Sequence, residues 1–425
     1  MCIRDSTNAN LTISKRDAIA TANAATVTYN GAIQNQSVTS NFISGDAILI
    51  SGLASARDAS TTPYISALSV SGADAGNYNI TLTDNNFTIN KANLTITANP
   101  VTKTYDGGLT ATGTGTLSAL AGAANGDAVL NAGSQVFTQK DVGTGNKTVQ
   151  ASGVTIKDST GTDTSVNYNI SYVNNTTSTI NKAALQEILG SKTYDGLNTI
   201  TGSQLTSIKG VGTETFTAVA ANTAAITGKD VVTASNKVTS ATGLTLTGNT
   251  GTTLVSNYDL ALAPVSSTVT INKAQLQEVS GTKTYDGLST ITGPQLTTIK
   301  GIGTEAFTAT NTATITGKDV STVNNKVTAI SGLNLTGTLA TSLATNYDLA
   351  VLPVVSTVTI NKALLTATAN SATYTYNGSS QSVSGFTVST LGAGDTLSSL
   401  TGLSASGATL TNVGSATLSL IHISE

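Results

Sequence analysis

The residues in this chain that could do chemistry are few, and they recur. Aspartate stands between tyrosine and glycine in three copies of Lys-Thr-Tyr-Asp-Gly, at Lys103–Gly107, Lys192–Gly196 and Lys283–Gly287, spaced 89 and 91 residues apart. Lys-Asp-Val recurs at Lys140–Val142, Lys229–Val231 and Lys318–Val320. Asn-Tyr recurs at Asn77-Tyr78, Asn167-Tyr168, Asn257-Tyr258 and Asn346-Tyr347. Carboxylates could act as general acids and bases or bind cations. The company they keep argues against both. The one histidine, His422, lies outside the repeated phrases, so they hold none for a triad or a zinc site. No Asp-x-Asp-x-Asp run offers converging oxygens to calcium. No glycine-rich loop joins a strand to a helix to cradle phosphate. The chain reads as non-enzymatic, with no catalytic residue, no metal and no cofactor.

Each phrase has a simpler role. Asp-Gly is the pair that a turn with positive φ demands, and the tyrosine before it can bury its ring. Lys-Asp-Val reads as a local charge pair in a turn, worth about 0–1 kcal/mol if exposed. The Asn-Tyr tyrosines read as buried rings whose hydroxyls bond nearby backbone. If any side chain stacks on a ligand such as a sugar, the candidates are Tyr168, Tyr258 and Tyr347. An intramolecular Lys–Asn isopeptide needs a neighbouring carboxylate; Glu187 or Glu278 could serve, but residues 92–182 contain no glutamate.

These phrases are carried by a tandem array. Thr-Ile-Asn-Lys-Ala closes each unit, at Thr88–Ala92, Thr179–Ala183, Thr270–Ala274 and Thr359–Ala363. Fixed self-similarity of this length means repeated domains. The expected division is 1–15, an atypical end with the closing strand of a preceding repeat; 16–91, a divergent repeat; three full repeats at 92–182, 183–273 and 274–362; and 363–425, a truncated repeat with an atypical end. Met1–Ser6 and Leu420–Glu425 carry the only Cys, Met and His and look foreign to the repeats, like translated adaptor sequence on an internal slice of a longer protein.

Aromatic residues make up 4% of the chain and charged residues 10%, so each core must rest on Val, Ile, Leu, Ala and a few Tyr or Phe. Polarity comes from Thr, Ser, Asn and Gly, a composition of short strands and turns. Alternation is clearest in the closing strand, where Val269 and Ile271 face one way and Thr268, Thr270 and Asn272 the other. Helical periodicity is confined to one turn near Ser203–Lys209. The expected fold is all-β: a tandem array of small antiparallel β-sandwich (Ig-like) domains, with a β-grasp as the alternative. A continuous β-helix would show a period near 20 residues, and none is present. Between Phe216 and Gly228 one repeat has two residues more than its neighbour has between Phe307 and Gly317, which marks a surface connection. No flexible linker separates the units, so the array is expected to be a semi-rigid rod.

The net charge of −3 argues against nucleic acid, and no apolar run approaches a membrane span. Lys-Thr-Tyr-Asp-Gly, the run Lys140–Val149, Asn-Tyr-Asn-Ile and Thr-Ile-Asn-Lys-Ala together resemble the YDG repeat. The Tyr-Asn-Gly units at 16–91 and from 363 resemble the related MBG repeats. Such repeats occur in filamentous-haemagglutinin-like and autotransporter-type adhesins of Gram-negative bacteria. The resemblance implies secretion, a bacterial cell-surface location and a structural stalk that supports adhesion, with host glycans or surface proteins as partners of the full-length protein. The alternative is that the repeats are themselves weak, multivalent modules for glycans or host proteins.

Overall fold

The computed structural model describes residues 9–231 and 235–422. Met1–Ser6, with Cys2, and the last three residues lie outside the described residues. The protein is all-β: strand makes up 45% of it, and among the described residues no helix reaches seven residues. Contacts divide the chain into two compact units, 1–183 with Leu254–Asp259, and 184–253 with 260–425. These units do not follow the 90-residue period, because Asn257 and Tyr258 group with the residues before Ala184.

In residues 92–182 the opening strand, Ala92–Thr97, lies between Thr116–Leu117 and Tyr168–Val173. A second sheet orders Thr102–Thr104, Asn175–Asn181, Gly143–Lys157, Ala128–Phe137 and Thr110–Ala111. Alternation decides which side chains are inside. Ala92, Leu94 and Ile96 are buried while Asn93 and Thr97 are exposed. Phe137, Val149, Ile156 and Ile180 bring the second sheet's apolar positions inside as well. The matched apolar pairs of the two near-identical repeats behave likewise: Ile200 and Ile291, Ile208 and Ile299, Phe216 and Phe307 are all buried. Leu205 and Leu296, Val211 and Ile302, and Leu260 and Leu349 are half-buried, and Leu197 and Leu288 are 58% and 48% exposed.

The expectation of purely antiparallel sheets is corrected. Ala92–Thr97 pairs parallel with Tyr168–Val173, and Thr102–Thr104 parallel with Thr179–Asn181. Glu187–Thr193 pairs parallel with Ser266–Asn272, and Glu278–Thr284 with Val355–Asn361. The reason is topological. When the opening and closing strands run side by side in one direction, the chain enters a repeat at one end and leaves at the other. Over seven residues that offset is about 23 Å, and it suits direct succession of repeats without linkers.

The expected helical turn is also narrower than its sequence window. Gly202–Gln204 forms a single 3-10 turn with a Thr201–Gln204 capping box, and Leu205–Lys209 is already strand. The two-residue difference falls between the strands Phe216–Ala218 and Thr223–Ile226; its counterpart is the single residue Asn311, at φ 65°, between Phe307–Thr310 and Thr312–Ile315. Glu187 and Glu278 pair across strands with Lys209 and Lys300 at 2.8 and 2.7 Å.

Ile96→Ala tests the account of the core. It should cost about 2–5 kcal/mol and raise amide hydrogen exchange in both 92–97 and 168–173, since the two strands share that core.

Candidate functional site

The repeated phrases assemble into two structures: a self-contained turn and a joint. In the turn the glycines of Tyr-Asp-Gly sit at φ 75°, 77° and 79°, a conformation other residues resist. The aspartate Oδ1 accepts the backbone N–H two residues on, from Gly108, Leu197 and Leu288, at 2.9–3.0 Å. The lysine that opens the phrase is the part that sequence reasoning missed. The side chains of Lys192 and Lys283 are fully buried. Lys283 Nζ donates to Asp286 Oδ1 at 2.5 Å and to the carbonyls of Leu288 and Thr290 at 3.0 and 2.7 Å. Lys192 meets Asp195, Leu197 and Thr199 in the same way. Burial by itself would raise the Asp286 carboxyl, but Lys283 and the Leu288 amide more than offset it and hold the group below its usual value.

The chain contains its own control for this pairing. In Val27-Thr28-Tyr29-Asn30-Gly31 the lysine position is apolar and the aspartate position is neutral. Asn30 keeps the turn bond, accepting from the Ala32 N–H at 3.0 Å, and Gly31 keeps φ 79°. Tyr374 and Asn377 make the same double exchange in the last repeat. The aspartate charge is therefore present where a buried ammonium needs it, whereas either side chain can close the turn.

The joint is built from both tyrosines. Within the first unit, Tyr29 meets Tyr168 edge to face at 5.5 Å and 77°. Both hydroxyls donate to Asp127 Oδ2, at 2.9 and 2.7 Å, and Tyr168 also accepts the Gly122 N–H. The Asp127 side chain is fully buried, and Arg57 reaches its other oxygen at 3.3 Å. Within the second unit, Tyr194 meets Tyr347 at 5.7 Å and 77°. Tyr194 donates to Glu305 Oε1 at 2.5 Å, Tyr347 donates to Oε2, and Tyr347 accepts the Ile302 N–H. Lys229 lies 3.0 Å from the Tyr194 hydroxyl and 3.6 Å from Glu305. Tyr105 and Tyr258 repeat the ring geometry at 5.7 Å and 77°. Tyr285 donates to Asp395 at 2.8 Å.

The asparagine beside each later tyrosine closes the joint. Asn167 accepts the Ala59 N–H and donates to Asp58, each at 2.9 Å. Asn257 does the same with Val142 and Asp141, and Asn346 with Val231 and Asp230. The three asparagines are buried to 1% exposure or less. Lys-Asp-Val is thus more than the local pair expected from the sequence. Lys229 does lie 3.5 Å from Asp230, yet both side chains also reach into the following repeat. Arg57-Asp58-Ala59 is the divergent form of the same element. Glycine matters here twice over: a Cβ on Gly31 would lie 2.9 Å from Gly122 Cα.

The ligand-contact candidates Tyr168, Tyr258 and Tyr347 are 4%, 2% and 1% exposed, and each has a neighbouring tyrosine ring against it. Stacking a sugar on them would first require opening a joint. The acids were missed entirely. Their signal was an Asp or Glu after Gly or Thr, 41 or 42 residues before the Asn-Tyr tyrosine, as in Asp127 and Glu305. Among the described residues no group of three or more His, Cys, Asp or Glu could hold a metal ion. Among the described residues no helix is long and apolar enough to cross a membrane.

The site is therefore a junction between successive β repeats. Residues 90–179 are a YDG domain, matching that family. No curated protein and no solved structure matches the chain.

Two outcomes follow. Asp286→Ala should raise local exchange around 281–290 by about 3 kcal/mol of lost protection, because it strands a buried ammonium. Lys283→Val with Asp286→Asn should recover most of that, as Val27 and Asn30 do. Burial and the Asp127 hydrogen bond push Tyr29 up to about 12, and burial and Asp127 also raise Tyr168. A raised folded-state pKa gives stability that is complete below pH 10 and lost as pH rises towards 12. Tyrosinate absorbance should show a late-titrating class, and Asp127→Asn should move it to lower pH.

Proposed function

We propose that these repeats are spacer elements of a secreted bacterial surface adhesin: a structural stalk, without catalytic activity, that holds a binding region away from the cell. The observation that carries this reading is the fate of the repeated side chains. The repeated tyrosines, the asparagine of Asn-Tyr and charged residues such as Lys229 and Asp230 are used in contacts between repeats, and the lysine and aspartate of Tyr-Asp-Gly in the repeat's own turn. A ligand-binding array would keep its repeated aromatics accessible, whereas a spacer uses them for stiffness. The YDG match at 90–179 supports the same reading, because the resemblance places such repeats in adhesins. Parallel opening and closing strands support it too, since every repeat then advances the chain.

On this reading the extracellular surface of a Gram-negative bacterium is the expected location, and glycan or protein partners belong to other parts of the full-length molecule. The test is small-angle scattering together with glycan-array binding on the full chain. An elongated particle whose maximum dimension falls in Asp127→Ala and Glu305→Ala, with no specific glycan bound, is the expected result. Glycan binding that survives those substitutions would make the repeats the adhesive part and overturn the spacer reading.

A further inference from the structure

The joint has two unlike halves. The earlier repeat supplies the Tyr-Asp-Gly or Tyr-Asn-Gly turn and the basic-Asp pair. The later half consists of the acid and the Asn-Tyr pair of the later repeat together with the closing strand that leads into it. Residues 9–91 carry a complete later half. Tyr78 donates to Asp46 and accepts the Ile43 N–H at 3.1 Å, as Tyr347 does with Glu305 and Ile302. Phe42 lies edge to face on Tyr78 at 5.1 Å, as Phe307 does on Tyr347 at 5.3 Å. Only the occupancy differs. Asn77 is exposed where Asn167, Asn257 and Asn346 are buried, and Ile43 is 50% exposed where Ile302 is half-buried and 3.7 Å from the site of a Gly196 Cβ.

The strand leading into this half gives an independent observation. Leu11-Thr12-Ile13-Ser14-Lys15 aligns with Val269–Lys273, Val358–Lys362 and Phe87–Lys91. Val269, Val358 and Phe87 are 3%, 5% and 1% exposed; Ile271, Ile360 and Ile89 are 6%, 7% and 0%. Leu11 and Ile13 are 89% and 86% exposed. Two apolar residues at closing-strand spacing therefore lie in solvent on the same half that presents Asn77 and Asp46.

We propose that Leu11–Lys15 and the face formed by Ile43, Asp46, Asn77 and Tyr78 are one docking surface for a Tyr-Asp-Gly repeat that lacks its own closing strand. The occupied copies fix how the partner sits. Its Lys-Thr strand pairs parallel with Ile13-Ser14, as Lys103-Thr104 does with Ile180-Asn181 and Lys283-Thr284 with Ile360-Asn361. Its tyrosine N–H donates to the Ser14 carbonyl, as Tyr105 does to Asn181 and Tyr285 to Asn361. Its tyrosine hydroxyl and its lysine reach Asp46, and its aspartate accepts from Asn77. Because the two halves differ, the contact is heterologous and adds repeats in one direction only.

The test joins a copy of residues 92–177 directly to Leu11 of the full chain, so that Leu11–Lys15 replaces Ser178–Lys182, and follows hydrogen exchange by mass spectrometry. Exchange in 11–15, 43–46 and 74–79 should slow by about tenfold or more, and the added copy should match the protection of the original 92–177. Unchanged exchange in 11–15, or an unprotected added copy, overturns the proposal. In the joined chain, Asp46→Ala with Asn77→Ala should restore fast exchange at 43–46 and 74–79 while the added copy's sheets stay protected. No change in that variant also overturns it.

Discussion

A buried carboxylate that accepts two tyrosine hydroxyls is the interaction on which the arrangement within each unit depends. A desolvated carboxylate is costly unless hydrogen bonds and a counter-charge replace its water. Asp127 receives Tyr29, Tyr168 and Arg57, and Glu305 receives Tyr194, Tyr347 and the nearby Lys229. Each set draws on two successive repeats, so the charge is satisfied only when the repeats are together. The extra methylene of Glu305 lets it give one oxygen to each tyrosine. Asp127 gives one oxygen to both and leaves the other for Arg57.

Charge placement follows one rule throughout. The chain is poor in charged residues, and those in the repeated phrases are placed where a buried polar group needs a partner. Lys192 and Lys283 are enclosed by carbonyls and an aspartate; where valine or tyrosine takes the lysine position, asparagine replaces the aspartate. The turn geometry survives that exchange because an amide oxygen caps the turn as well as a carboxylate does. The glycine does not change in any copy, since every copy has positive φ, and at Gly31 and Gly287 the close approach of the next repeat also excludes a Cβ.

Much of the fold was legible. Period-2 alternation in Val269–Asn272 and the turn chemistry of Tyr-Asp-Gly gave the all-β character, the buried positions and the strand ends. Strand direction was not legible, because alternation is the same in parallel and antiparallel pairs. The site was half legible. Tyrosines such as Tyr168 and Tyr347 could be recognised as buried rings, but the acid each of them binds is shared with a tyrosine of the preceding repeat, as Glu305 is with Tyr194, 111 residues away in sequence. A reading confined to one period therefore saw Lys229-Asp230 only as a local pair and missed the contacts of these two residues with Glu305 and Asn346. Lys283 was passed over because lysine is ordinarily exposed, and only the fold shows the carbonyls that surround it.

The most direct measurement is a spin-label distance distribution within the first unit, with cysteines at the exposed positions Leu49 and Thr176 in a Cys2→Ser background. The account predicts a narrow distribution that broadens markedly in Asp127→Ala, while hydrogen exchange in 16–22 and 92–97 stays protected. A distribution equally narrow without Asp127 would show that the shared carboxylate does not hold the two repeats together, and would contradict the account.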